Sequence, residues 1–238
     1  MHSSLKLDQL YVTVDILILT EKNGVLNLLL SKRSHPPAES RWALPGRFIS
    51  LGDSAEDTVK DLLREMLPVK QYYFEQLYTF TRPERDPRGR VLSIAYLAII
   101  PWQHLQPVLN HSDITLKCFS VSTSEATLSL VAPEGNPFPE SELAFDHAHI
   151  IRTGITRLQG KIEYTDIGFH FLNTPQAFFL SEMQRIYEAV LGRAQDASNF
   201  RRFLRSRYED TGKIIPSEIT EKKGRGRPAV LYSWDPQY

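Results

Sequence analysis

The sequence predicts a mixed α/β (α+β) protein of two domains. Three observations lead there: apolar strand-like runs around a glycine loop and helix in the first half, helical spacing in the second, and Pro- and Gly-rich punctuation before residue 143. At 238 residues the chain exceeds the commonest domain size, so length permits two units, placed here at 1–143 and 144–238. Hydrophobic residues make up 42% and charged residues 24%, enough to bury an ordinary core. Cys118 is the single cysteine, which excludes an intramolecular disulfide. No apolar run approaches the roughly 20 residues that cross a bilayer. No charged lead-in followed by an apolar core suggests a secretory signal, and a cytoplasmic protein with no membrane partner is expected.

Residues 11–19 read as a buried strand and 25–30 as its partner, joined at a Lys22-Asn23-Gly24 turn. A loop with Pro45, Gly46 and Gly52 then leads into a helix in which Ala55, Val59, Leu62, Leu63 and Met66 recur at three- and four-residue spacing. Such a loop and helix can cradle a phosphate. Residues 76–81 and 91–100 form a second hairpin, because the Pro and Gly of residues 83–90 mark a turn. Residues 101–143 are rich in Pro, Ser and other polar residues, with strand-like islands at 115–121 and 126–131 and a loop at 132–139.

From residue 143 to about 159, Phe145, Ile150, Ile151, Ile155 and Leu158 suit a helix that Gly154 weakens. Residues 181–191 form a second, with Met183, Ile186, Tyr187 and Val190 on one face. Asp196 is a natural N-cap for a third, whose buried stripe is Phe200, Phe203, Leu204 and Tyr208. Residues 213–216 and 229–232 bracket a basic glycine-containing tip. Helix, helix and hairpin describe a winged helix-turn-helix. Neither an internal repeat nor a sustained heptad is present.

Net charge is zero, yet it is unevenly placed: residues 1–143 sum to −3 and residues 144–238 to +3. Arg201, Arg202, Arg205 and Arg207 form one cluster and Lys222, Lys223, Arg225 and Arg227 another. A single such run is commonly a solvated face, but two beside one wing fit a phosphate backbone.

The helix at 55–66 ends in Asp61-Leu62-Leu63-Arg64-Glu65-Met66. This stretch resembles the Nudix box, in which Arg-Glu-x-x-Glu-Glu holds magnesium on a diphosphate, but Leu62 and Met66 replace two of the three glutamates and only Glu65 remains. Further motifs follow in order: residues 85–90 then Ser93-Ile94-Ala95-Tyr96, Leu143-Ala144-Phe145-Asp146-His147, Gln184 with Tyr187-Glu188, Asn199-Phe200-Arg201-Arg202, and Gly226-Arg227-Pro228-Ala229 with Leu231-Tyr232. Together they resemble the Nudix-related transcriptional regulators called NrtR over nearly the whole chain. The resemblance implies an N-terminal Nudix α/β/α sandwich at 1–143 that binds ADP-ribose or a related metabolite, with no catalytic residues, no bound metal and no required cofactor. It also implies a winged helix-turn-helix at 144–238 that binds double-stranded operator DNA as a homodimer, with genes of NAD biosynthesis or salvage as targets. Pentose sensing and active hydrolysis of ADP-ribose-like diphosphates are the alternatives. Two departures stand out: Arg47 replaces a phosphate-loop glycine, and residues 101–143 exceed the usual length, where they alter dimer contacts or cover the pocket.

The candidate effector-binding residues are Arg33, Arg41, Trp42, Gly46, Arg47, Phe48, Glu65, Arg85, Asp86 and Arg88. Guanidinium forks such as those of Arg85 and Arg88 hold diphosphate oxygens, or else solvate a turn and pair with Glu84 or Asp86. Trp42 and Phe48 either stack on an adenine or pack in the core. Glu65 lies in a helix-face series with Asp57 and Asp61 beside Lys60 and Arg64. His147 and His149 point to different sides of a helix, against a zinc pair, and Cys118 reads as inert core. The candidate DNA-binding residues are Asn199, Arg201 and Arg202 for base edges, Arg205, Lys222 and Lys223 for phosphates, and Arg225 and Arg227 for an adjacent minor groove.

Overall fold

A computed structural model describes residues 9–67, 72–111, 115–124, 127–221 and 229–234. The predicted first hairpin is strand β1, Tyr11–Lys22, with β2, Val25–Lys32; Lys22 pairs with Val25 across Asn23 and Gly24, whose φ values of 53° and 81° suit a primed two-residue turn. Two short strands follow, β3 (Trp42–Ala43) against β2 and β4 (Gly46–Phe48) against β1. Helix α1, Ala55–Met66, begins at the cap Ser54, whose hydroxyl accepts the Asp57 amide. The second hairpin is β5, Tyr73–Phe80, with β6, Val91–Ile99.

β6 also runs parallel to β1 from Tyr11–Val91 to Leu19–Ile99, which puts β1 inside the sheet between β6 and β2. Its residues alternate between two cores. Val14, Ile16 and Ile18 meet Val59, Leu62 and Leu63 of α1 on one face, whereas Leu17 and Leu19 meet the C-terminal helices on the other. Covered on both faces, β1 reads as a near-continuous apolar run instead of alternating.

Residues 101–143 read as strands and loop in sequence, yet Trp102–His111 forms helix α2, with Pro107 inside it and Leu105 fully buried against the α1 face. Proline in a polar-weighted segment masks the apolar face, Leu105 with Trp102, Val108 and Leu109, that holds the helix down. Strands β7 (Leu116–Ser124), β8 (Thr127–Val131) and β9 (Pro137–Phe138) then extend the sheet beyond β2. The segment thus widens the sandwich.

Residue 143 is not a break in packing. Helix α3, His147–Ile162, lies on the sheet with Gly154 against Leu17 and Leu77, and its Ile150, Ile151, Ile155 and Leu158 are fully buried. After a short 3-10 turn come α4, Leu180–Leu191, and α5, Ala197–Leu204, which ends in a single π-helical turn. Strands β10 (Ile214–Glu221) and β11 (Ala229–Trp234) pair as the wing, and Phe178 bridges to Tyr232 beside them. One contiguous apolar cluster runs from Leu17 and Leu28 through Ile155 and Met183 to Phe200 and Trp234, so the sheet and the helix-turn-helix share a core.

Candidate functional site

A cleft of about 230 Å³ opens beside the N-terminal ends of β1 and α3. Seven predicted residues line it: Arg33, Gly46, Arg47, Phe48, Arg85, Asp86 and Arg88. Arg41 lines a second, adjoining cleft of about 400 Å³, and Arg85 and Phe145 border both. Of residues 101–143, Leu143 alone borders the larger cleft among the described residues, so that segment does not cover it.

The floor is a buried polar network on β1. Asp15, 8% exposed, accepts hydrogen bonds from Arg85 and from the Ser93 hydroxyl. Arg85 is not a solvated turn residue: its side chain is 3% exposed and donates to both carboxylate oxygens of Asp146, at 2.8 and 3.1 Å, as well as to Asp15 at 3.3 Å. The expected partners Glu84 and Asp86 are replaced by carboxylates 61 and 70 residues away. His147 accepts the Leu44 amide at Nδ1, 2.8 Å, and turns Nε2 toward Asp15 at 3.6 Å. Burial pushes its pKa below the ordinary imidazole value, with Asp15 opposing, so it stands neutral.

The rim is cationic and aromatic. Arg88 pairs with Asp86 at 2.6 Å and lies 4.9 Å from the Phe48 ring and 5.5 Å from Phe145. Arg33 lies 4.8 Å from the same Phe145 ring, and its guanidinium donates to the carbonyls of Pro37 and His35. Burial and the neighbouring Arg88 lower the Arg33 pKa. Phe145 holds φ at 52°, a left-handed conformation unusual for an aromatic residue and the kind of strain that collects at ligand sites. Gly46 passes so close to β1 that a Cβ would stand 2.5 Å from the Val14 carbonyl oxygen.

Two predicted residues lie elsewhere. Trp42 packs edge-on against Phe119 at 5.0 Å, taking the core alternative. Glu65 does not line the cleft, nor does it pair along α1; Arg47 grips both of its oxygens, and that contact holds its carboxyl below the usual range. Arg64 pairs with Asp61 and Lys60 with Glu56 on the solvated helix face. His149 meets the Phe80 ring at 5.3 Å, away from His147. Cys118 is buried, with its thiol pushed up to about 12. Asp15, Phe145, Asp146 and His147 were missed as site residues. Asp15 carried a signal: a lone acid in an apolar strand must find a buried partner.

On the opposite end, Gly192 closes α4 in a left-handed conformation (φ 67°), and Asp196 accepts the Asn199 amide to start α5. Phe200, Leu204 and Tyr208 turn inward as expected, Phe200 packing on the Tyr187 ring at 5.0 Å, while Phe203 is half-buried. Asn199, Arg201, Arg202 and Arg205 are exposed. Arg202 donates to Asn199 at 2.6 Å and Arg205 pairs with Glu209 at 3.4 Å; Arg201 has no ion pair among the described residues. Lys222, Lys223, Arg225 and Arg227 lie outside the described residues. No described helix is long and apolar enough to cross a membrane.

Residues 168–234 match the family described as the NrtR DNA-binding winged helix domain. Over 224 residues the chain is 31% identical to the ADPR responsive transcriptional repressor NtrR of Acinetobacter baylyi, covering 93% of this chain and 80% of that one. Its fold is similar to Shewanella oneidensis NrtR crystallised with a 27mer DNA, at TM-score 0.73 and 30% identity, covering 94% of this chain and 93% of that one. A shorter stretch of 86 residues, 36% of this chain and 48% of the relative, is 35% identical to an ADP-ribose pyrophosphatase of Methanocaldococcus jannaschii.

Proposed function

The chain belongs to the NrtR family of transcriptional regulators, and from that premise we propose that it is a DNA-binding repressor released from its operator by ADP-ribose or a closely related metabolite. The observation that carries this reading is the position of α3. Its first turn meets the cationic cleft through Asp146 and His147, and its length packs on the sheet and on α4, the helix preceding α5. A ligand that alters the first turn of α3 therefore acts on an element shared with the DNA-reading half.

Arg33, Arg47 and Arg88 are the guanidinium groups offered to a diphosphate, with Phe48 and Phe145 as aromatic faces for a base or sugar. Arg85 holds the frame. At the other end, α5 enters the major groove with Asn199, Arg201 and Arg202 at base edges, and Arg205 positions the backbone. A homodimer on a two-fold operator and a cytoplasmic setting complete the proposal; NAD biosynthesis or salvage genes as targets rest on family likeness. We place the functional division within α3, which serves both halves.

Release requires ADP-ribose to prefer one domain geometry, and linkage then makes operator DNA weaken ADP-ribose binding by the same factor. A gel-shift titration tests this: operator binding unchanged at saturating ADP-ribose defeats the effector reading. The rival is hydrolysis, favoured by the pyrophosphatase likeness. Chromatography for AMP after incubation with magnesium and ADP-ribose separates the two, and turnover abolished by Glu65→Ala would establish an enzyme.

A further inference from the structure

We propose that the Arg47 guanidinium takes the place of a divalent cation beside the cleft, so that the diphosphate is held without magnesium. This rests on reading the cleft as a nucleoside-diphosphate site.

The donor set does not fit a magnesium ion. Magnesium demands near-octahedral oxygen coordination, typically from one or two free carboxylates plus phosphate and water. Leu62 is 8% exposed and packs with Val14 and Ile16, and Met66 leans on the same cluster; neither can present oxygen. Glu65 is the one acid left at the motif positions, and both its oxygens already accept hydrogen bonds from Arg47. Among the described residues no three His, Cys, Asp or Glu side chains gather in a metal-sized group. The neighbouring acids Asp61 and Glu56 are engaged by Arg64 and Lys60.

Arg47 sits where a charge is needed. It lies on β4 opposite Val14 of β1, reaches across to α1, and lines the cleft with Arg33 and Arg88. A guanidinium carries five N–H donors; Nη1 and Nη2 each give one to Glu65, leaving donors for a second, anionic partner. The bidentate clasp fixes the fork, which makes Glu65 a positioning residue for Arg47. Contact with Glu65 also raises the Arg47 pKa, so its charge is permanent. A guanidinium differs from magnesium in one respect that matters for function: it stabilises phosphate charge but generates no metal-bound hydroxide. The exchange of metal for arginine therefore keeps recognition and removes a nucleophile.

Isothermal titration of the full chain with ADP-ribose tests this, once in a chelator and once in millimolar magnesium. The expected affinities agree within about twofold, and Arg47→Gln loses about tenfold in chelator, equivalent to about 1.4 kcal/mol. Arg47→Lys, which keeps the charge but not the fork, should fall between, with thermal melting confirming that each variant folds. Wild-type binding that appears only with magnesium, or an Arg47→Gln variant as tight as wild type in chelator, overturns the inference while leaving the effector reading intact. Absence of binding in both buffers defeats the ADP-ribose reading, and this inference with it.

Discussion

Asp146 accepts two hydrogen bonds from Arg85, at 2.8 and 3.1 Å, and so fastens the first turn of α3 to the loop between β5 and β6. Arg85 is buried and Asp146 half-buried, with the buried Asp15 as a third member. Breaking one partner of such a cluster leaves an uncompensated buried charge, which costs far more than the intact arrangement contributes.

Arg85→Ala therefore leaves Asp15 and Asp146 without the cation they share, and should destabilise by about 3–5 kcal/mol. Asp146→Asn keeps the shape and leaves Arg85 paired with Asp15, so a smaller loss of about 1–3 kcal/mol is expected. If α3 transmits the ligand's effect, Asp146→Asn should also reduce the shift in operator affinity caused by ADP-ribose more than it reduces ADP-ribose binding. Denaturant unfolding and gel-shift titrations measure both. An Arg85→Ala protein as stable as wild type removes the basis for this network.

Gly154 offers an independent test of how α3 meets the sheet. A Cβ built there stands 2.1 Å from Leu17 Cδ2 and 3.2 Å from Leu77 Cδ2. On helix propensity alone Gly154→Ala should stabilise by roughly 0.8–1 kcal/mol. Overpacking opposes it with about 1–3 kcal/mol, and the net expectation is a loss. A raised melting temperature for Gly154→Ala would show that Leu17 yields freely and that α3 is not closely seated.

Gly154 also shows where sequence legibility ended. In sequence it appeared only as a weak point in a helix, because the distance to Leu17 depends on a contact 137 positions away. The longer strands, α1, the Asn23-Gly24 turn, the Asp196 cap and the inward stripe of Phe200, Leu204 and Tyr208 were legible, since each depends on local periodicity or capping, whereas the two- and three-residue strands β3, β4 and β9 fall where the sequence reads as loop. Six of the seven predicted cleft residues lie in the loop and turn motifs read from sequence, and Arg33 lies in none of them. Arg85 lines the cleft, but its environment was not legible: a turn full of charge reads as solvated until Asp15 and Asp146 converge on it. Helix α2 was hidden because burial of Leu105 overrides the breaker Pro107.

Two histidines should make stability depend on pH. Burial lowers the pKa of His147 from 6.5, and brings His170, stacked on Tyr73 at 4.2 Å, down to about 4. A depressed folded-state value means that the unfolded chain takes up the proton first, so stability is present above about 6.5 and is lost as pH falls toward the folded value. His170 alone contributes on the order of 3 kcal/mol to this slope at one pKa unit per 1.36 kcal/mol. Melting temperatures should decline between these two pH values, and His170→Phe should flatten the decline while keeping an aromatic ring beside Tyr73 and Trp234. An unchanged slope in that variant places the titration elsewhere.

The exposed face of α5 carries the last prediction. Arg201 has no ion pair among the described residues, Arg202 is oriented by Asn199, and Arg205 is held by Glu209, so the three arginines differ in freedom to reach a base. Replacing Arg201 and Arg202 together by alanine spares the buried stripe and should leave the fold intact while weakening operator binding. A lost base contact relaxes sequence preference by about 1–3 kcal/mol at one position, whereas Arg205→Ala should weaken binding to all sequences and lower the salt slope by about 1. Fluorescence anisotropy on operator and scrambled duplexes across a salt series distinguishes these patterns. Full operator affinity in the Arg201→Ala, Arg202→Ala double variant would exclude α5 as the reading helix and shift attention to the wing.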